Sequence, residues 1–131
     1  MGILDHLTIN VSNYERSKAF YEKALAPLGV TAIMEFGKAC GFGRDGKPDF
    51  WMGNGVASYQ TPEQTKNITP IHVSFAARSR AEVDAFHAAA LAAGGRDFGE
   101  PGPREIYHPN YYGAFVLDPD GHNVEATIHT V

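Results

Sequence analysis

Residues 3–29 of the chain read ILDHLTINVSNYERSKAFYEKALAPLG and predict a strand followed by a helix. The first nine of these residues alternate between apolar and polar side chains, which is the period of a half-buried strand. The apolar members of the alternation are Leu7, Ile9 and Val11. Ser12 then begins an S-x-x-E sequence, which is typical of a helix N-terminus, and Gly29 follows the last residue of helical spacing.

The same pattern recurs in the second half of the chain. Residues 71–76 (IHVSFA) alternate in the same way, and Ser79 begins a second S-x-x-E sequence that precedes a helical pattern. Ser12 lies six residues after His6, and Ser79 lies seven residues after His72. The two histidines therefore occupy matching positions in an internal repeat.

Each predicted helix is followed by short strand-like segments, so each half reads β-α-β-β-β. These segments are residues 30–36, 40–43 and 50–53 in the first half, and a segment near Asp97 with residues 113–117 and 123–129 in the second. Module one covers about residues 1–59 and module two about residues 70–131, with a polar connector at 60–69. We therefore expect one α+β domain over residues 1–131, in which two tandem βαβββ modules share a core with pseudo-twofold symmetry.

The composition limits the function classes that fit this sequence. The chain has 131 residues, of which 44% are apolar, and its 11 basic against 15 acidic residues give a net charge of −4. The basic residues are scattered, which argues against nucleic-acid binding. A single cysteine, Cys40, excludes an internal disulfide framework. No apolar run approaches a bilayer span, and residues 1–7 (MGILDHL) match neither a signal peptide nor a lipidation site, so we expect a cytoplasmic protein without membrane contact.

Three polar residues on predicted strands are candidates for a metal site. His6, His72 and Glu125 each lie on the polar side of a strand, and small residues such as Thr8 and Ser74 lie beside the histidines. Small neighbours leave a concave space, and symmetric pairing of the modules would bring the two histidines together. Two imidazoles and one carboxylate suit a divalent first-row metal. The alternative, for each residue taken alone, is an ordinary exposed or hydrogen-bonded side chain.

Residues 4–29, 71–95 and 112–127 together resemble the glyoxalase, bleomycin-resistance and extradiol-dioxygenase superfamily, also called the vicinal oxygen chelate proteins. The last segment, YGAFVLDPDGHNVEAT, is the more specific one. The resemblance implies two βαβββ modules that form a curled mixed sheet around a metal cleft, with the helices on the outside. It also implies that the metal ligands of the family fall on His6, His72 and Glu125, and that they hold one divalent ion: Fe, Mn, Ni or Zn.

The chain departs from the glyoxalase I enzymes of that superfamily at one position. Those enzymes use a fourth protein ligand on the last strand of the first module, and alignment of the two modules places this position at Phe50 or Trp51. Neither side chain can bind a metal. The remaining two-His-one-Glu set resembles that of extradiol dioxygenases and fosfomycin-type transferases, whereas bleomycin-binding members carry no such set.

The resemblance favours a metal-dependent enzyme, with lyase, isomerase or extradiol-type dioxygenase activity, that binds a small-molecule substrate through two oxygens. The reaction itself stays open, because a fold does not determine the chemistry. The alternative is a drug-sequestering protein of the bleomycin-resistance type, which binds a small molecule without a metal. Short two-module members commonly pair, so we expect a homodimer, with the site closed either within one chain or across two.

The segment from Phe98 to Tyr112 is rich in Gly and Pro and contains the remaining catalytic candidates. Its length indicates a functional or a disordered loop. Tyr112, His108 and Tyr107 could donate or accept a proton beside a bound substrate, and the alternative is a loop anchored by aromatic packing.

Other aromatic residues are candidates for a pocket wall. Trp51, Phe42 and Tyr111 are the ones we expect there, with core packing as the alternative for the first two. His122 follows a D-P-D-G turn, and we expect it at the surface.

Overall fold

The computed structural model describes residues 2–55 and 57–130, and within them the β-α-β-β-β order occurs twice. The elements are β1 (Leu7–Asn10), α1 (Tyr14–Leu25), β2 (Thr31–Phe36), β3 (Ala39–Arg44), β4 (Lys47–Gly53), α2 (Pro62–Lys66), β5 (His72–Ala76), α3 (Arg80–Ala92), β6 (Arg96–Pro103), β7 (Tyr112–Leu117) and β8 (Asn123–Ile128). The short α2 lies in the predicted connector. A 3-10 turn at Ala26–Leu28 follows α1 directly.

The strands form two four-stranded mixed sheets of the same topology. Their strand orders are β1-β4-β3-β2 and β5-β8-β7-β6. In each sheet the strand that comes first in the chain pairs in parallel with the one that comes last, β1 with β4 and β5 with β8. The other neighbouring strands are antiparallel. Each sheet carries its long helix outside, so the prediction of an α+β fold with two tandem βαβββ modules is confirmed.

The strand register preserves the internal repeat at the level of single residues. Thr8 lies opposite Trp51 across β1 and β4, and Ser74 lies opposite Glu125 across β5 and β8. Thr8 and Ser74 each follow the repeated histidine by two residues. Trp51 therefore occupies the position in module one that Glu125 occupies in module two.

The N-terminus of α1 differs from the prediction. The side chain of Asn13, rather than that of Ser12, accepts a hydrogen bond from the backbone N–H of Arg16. Ser12 contacts module two instead, where its backbone N–H and its hydroxyl both donate to Asp120. A tertiary contact has thus replaced the predicted local cap, whereas Ser79 caps α3 as expected.

Large apolar side chains from both modules contribute to one buried cluster. Phe20 of α1, Phe50 of β4 and Phe86 of α3 belong to it, and all three are buried. The rings of Phe50 and Phe75 meet edge-on with centroids 5.0 Å apart, which joins module one to module two. These contacts involve the helical sides of the sheets, so they leave the opposite face of each sheet open.

A buried histidine joins the two modules, which corrects the expectation that His122 lies at the surface. His122 is 1% exposed. Its Nδ1 accepts from the backbone N–H of Ile71 at 3.0 Å, and its Nε2 donates to the backbone oxygen of Asn10 at 2.8 Å. Asp118 accepts hydrogen bonds from the His122 backbone N–H and from the Tyr21 hydroxyl of α1. The histidine therefore acts as a neutral bridge between the modules.

The connections are shorter than the sequence suggested. β6 extends to Pro103, so the predicted long loop is reduced to residues 104–111. The tight turn between β3 and β4 has positive φ at Asp45 and Gly46, which explains the glycine at that position. Within the described residues, no helix is long and apolar enough to cross a membrane.

Candidate functional site

In module two, the face of the β5-β8-β7-β6 sheet that no helix covers, here called its free face, carries two of the predicted ligands. Ser74, Glu125 and Phe115 form one row across β5, β8 and β7. His72 precedes Ser74 by two residues on β5 and therefore lies on the same face. The local cause is the alternation of the strand sequences, which places apolar residues such as Val73 on the opposite, helical side.

His72 and Glu125 approach each other closely on this face. His72 Nε2 lies 3.1 Å from Glu125 Oε1, and the glutamate side chain is buried while half of the histidine side chain is exposed. His72 Nδ1 lies 3.1 Å from the backbone oxygen of Asn123, which can only accept a hydrogen bond. In a neutral imidazole the proton is therefore on Nδ1 and Nε2 presents a lone pair to the carboxylate, whereas in a protonated imidazole Nε2 also donates.

Two electron-pair donors at this distance require a positive charge between them. A protonated imidazole would supply it, and so would a cation bound by both side chains. Two ligands about 2.1 Å from a first-row metal, at roughly a right angle, are about 3 Å apart. The separation of His72 Nε2 and Glu125 Oε1, 3.1 Å, fits such a pair of ligands.

The second oxygen of Glu125 is bound by Tyr111. The phenol of this residue, at the end of the 104–111 loop, donates a hydrogen bond to Glu125 Oε2. Burial raises the pKa of Tyr111, and the hydrogen bond to the carboxylate raises it further. The ring packs edge-on against Tyr107 and His129. The structure thus places the pocket candidate Tyr111 directly over a predicted metal ligand.

His6 lies apart from the other two predicted ligands. It precedes β1 in an exposed position, and its Nδ1 lies 2.7 Å from Asp5 Oδ1. Together with Thr8 and Trp51 it lines a shallow open pocket on the free face of module one. Among residues 2–55 and 57–130, no three His, Cys, Asp or Glu side chains of one chain are grouped to hold a metal. One chain therefore places two of the predicted ligands on the free face of module two and the third on the free face of module one.

The free face of module one carries aromatic side chains where module two carries a carboxylate. Trp51, at the position equivalent to Glu125, stacks on Phe36 with ring centroids 6.1 Å apart. Gly41 provides the space for the indole, because a Cβ there would lie 2.7 Å from the Trp51 ring. Phe50, the other residue considered for this position, lies in the core. An apolar wall thus replaces the fourth ligand of glyoxalase I enzymes.

Two further candidates lie on the helical sides of their sheets, which corrects the predictions for them. Phe42 is fully buried, 6.3 Å from the ring of Tyr21, so it belongs to the core and not to a pocket. Tyr112 donates its hydroxyl hydrogen bond to Asp84 of α3. Because successive strand residues point to opposite faces, Tyr112 cannot act beside Glu125.

The remaining catalytic candidates lie on the 104–111 loop near the site. Tyr107 is 61% exposed and packs against Tyr111. His108 is exposed, with its ring 5.6 Å from that of His129. Both therefore lie around the residue that binds Glu125, without contacting Glu125 in the described structure.

Two residues on the free faces were absent from the sequence-based set. The guanidinium carbon of Arg104 lies 5.6 Å from the ring centroid of Phe115, beside Glu125. Phe36, which stacks on Trp51, is 64% exposed. The apolar face that Phe36 shares with Met34 on β2 was the only local signal for Phe36, and Arg104 had none because its position depends on the course of the loop.

The sequence and the fold match a known superfamily. The family model described as Glyoxalase/Bleomycin resistance protein/Dioxygenase superfamily matches residues 3–126. The chain therefore belongs to this superfamily, as the resemblance indicated. Its description includes an enzyme class, the dioxygenases. Among curated proteins, no sequence matches the chain significantly.

Solved structures show the same architecture over nearly the whole chain. A glyoxalase/bleomycin resistance protein from Albidiferax ferrireducens T118 is 29% identical, with a TM-score of 0.76 over 96% of this chain and 98% of that one. A glyoxalase/bleomycin resistance protein/dioxygenase family enzyme from Burkholderia phytofirmans PsJN is 20% identical, with a TM-score of 0.69 over 96% of this chain and 98% of that one. A glyoxalase-related enzyme from Fulvimarina pelagi is 16% identical, with a TM-score of 0.69 over 97% and 88%.

Proposed function

We propose that this protein is a metal-dependent enzyme in which His72 and Glu125 of one chain and His6 of a second copy hold one divalent ion. The observation that carries the proposal is the 3.1 Å approach of His72 Nε2 to an oxygen of the buried Glu125 carboxylate. When bound, Fe, Mn, Ni or Zn would act as a Lewis acid on a substrate that binds through two oxygens. The reaction class is that of a lyase or isomerase, or of an extradiol-type dioxygenase.

The chain's own residues orient the two ligands. The backbone oxygen of Asn123 determines which His72 nitrogen carries the proton, so that Nε2 faces the site. Tyr111 donates to the Glu125 oxygen that points away from His72, which leaves Oε1 beside the imidazole. Such hydrogen bonds to metal ligands contribute strongly to affinity.

A second copy of the chain is needed to complete this set. The free face of module two has two ligands, and His6 lies on the free face of module one, exposed to solvent. Phe36 and Met34 of that module are 64% and 42% exposed, which is unusual for large apolar side chains on one sheet face. A homodimer in which module one of each chain faces module two of the other would cover them and form two equivalent sites.

Metal analysis of paired variants tests the proposal. Protein purified without chelator should contain about one equivalent of metal per chain, measured by mass spectrometry. Glu125→Ala and His6→Ala should each lose it while their circular dichroism spectra remain those of the wild type. Unchanged metal content in Glu125→Ala would refute the assignment.

Co-expression of the two variants with different tags tests the second copy. A heterodimer of His6→Ala with Glu125→Ala retains one complete site if ligands come from two chains, so it should recover about half of the wild-type metal. If each site formed within one chain, both sites would be damaged and no metal would return. The second result would refute the shared site without refuting metal binding.

The second candidate is a metal-free protein that sequesters a small aromatic compound. The stacked Trp51 and Phe36 favour it, since they form an aromatic wall at the position where a fourth ligand would bind. Sub-micromolar binding of an aromatic ligand by chelator-treated protein, with quenching of the single tryptophan, would support this function.

A further inference from the structure

A positively charged side chain lies next to the candidate metal ligands. The guanidinium carbon of Arg104 is 5.6 Å from the ring centroid of Phe115. The imidazole of His72 stacks on the same ring, with centroids 6.1 Å apart. Arg104 and His72 therefore contact a common aromatic side chain on the free face of module two.

The position of this guanidinium is determined by its surroundings. Arg104 Nη2 donates to the backbone oxygen of Glu100 at 2.7 Å, and Nη1 donates to the backbone oxygen of Pro103 at 3.3 Å. A Cβ at Gly99 or Gly102 would lie 3.3 or 3.2 Å from a guanidinium nitrogen. The absence of side chains at these two glycines thus leaves space for the charged group along β6.

No carboxylate neutralises this charge within the part of the chain that the structure describes. The ion pairs found there involve other basic residues, including Arg16 with Asp120 and Arg78 with Glu82. A guanidinium has five N–H donors, and the two backbone oxygens use two of them. The others are available to a ligand.

We infer that Arg104 binds a carboxylate of the substrate, and that the substrate is a small organic acid whose flat middle part crosses Phe115. A planar guanidinium can bind a carboxylate through two parallel hydrogen bonds, and a chain with a net charge of −4 needs a local cation to hold an anion. One part of the inference rests on the proposed function, namely that the other end of the substrate chelates a metal at His72 and Glu125. Binding of the acid group at Arg104 requires no metal.

The first test uses chelator-treated protein and two probes that differ in charge, benzoate and benzamide. Calorimetry should show benzoate binding at least fivefold tighter than benzamide in the wild type, and Arg104→Gln should abolish this preference. Arg96→Gln is the matched control, because Arg96 lies opposite Leu117 at the other end of the same face and is exposed. Absence of the preference in the wild type, or its equal loss in both variants, would overturn the inference.

The second test uses zinc-loaded protein with benzohydroxamate and 4-carboxybenzohydroxamate, which chelate alike and differ by one carboxylate. The carboxylated probe should bind about tenfold tighter in the wild type, as expected for a charge-assisted hydrogen bond. Arg104→Gln should remove that advantage and leave the affinity for benzohydroxamate unchanged, and an advantage that survives would overturn the inference. If benzoate shows its preference but neither hydroxamate binds, the proposed metal site fails and the role of Arg104 stands.

Discussion

Replacement of His122 by alanine should destabilise both modules together. The imidazole binds Ile71 in module two and Asn10 in module one, so its removal leaves one backbone N–H and one backbone oxygen without a partner. Both hydrogen bonds are part-buried, and each unsatisfied group costs about 1–1.5 kcal/mol, the lower part of the usual range. Loss of packing around a fully buried ring adds about 1 kcal/mol.

The expected decrease in the free energy of unfolding is therefore about 3–4 kcal/mol, a large share of the stability of a domain this size. At about 4 °C per kcal/mol for a chain of this length, Tm should fall by roughly 12–16 °C. His129→Ala serves as the control, since His129 is exposed and its loss should change Tm by less than about 2 °C.

Urea unfolding followed by two probes tests the bridging role. The fluorescence of Trp51 reports on module one, and far-ultraviolet circular dichroism reports on both modules. The two transitions should coincide in the wild type and move together in His122→Ala. A decrease of less than 1 kcal/mol, or a shift confined to one probe, would refute the reasoning.

Three further predictions follow from named contacts. Tyr111→Phe removes the donor to Glu125 Oε2 and should lower zinc affinity by about 10- to 100-fold with the fold retained; unchanged affinity in calorimetry would show that the phenol does not orient the ligand. Gly113→Ala adds a Cβ 2.9 Å from Glu125 Oε2 and should weaken zinc binding at least tenfold, whereas Gly55→Ala, which meets nothing within 4 Å, should leave it unchanged. Burial and the nearby Asp118 raise the pKa of Tyr21, and burial also raises the pKa of Tyr111. The stability that these neutral phenols contribute is therefore complete below about pH 10, and it is lost as the pH rises above that value. Absorbance of tyrosinate should therefore appear in two stages, and titration of all six tyrosines near pH 10 in folded protein would contradict this.

Several features of the site could be read from local patterns. Alternation along the strands placed His72 and Glu125 on polar faces, and the pairing of β5 with β8 brings those faces together. The same patterns failed where a distant contact competes with a local one. Asp120 binds Ser12, so Asn13 caps α1 in its place.

The amino-acid sequence by itself determined the two βαβββ modules and the polarity of each strand face, because helix and strand periods are properties of neighbouring residues. The tertiary structure decided which faces meet. Packing through the helical sides keeps His6 apart from the His72–Glu125 pair, and the register puts Trp51 at the position equivalent to Glu125. The course of the 104–111 loop brings Tyr111 and Arg104 onto the same face. These arrangements depend on many contacts between residues far apart in the chain, which no local pattern records.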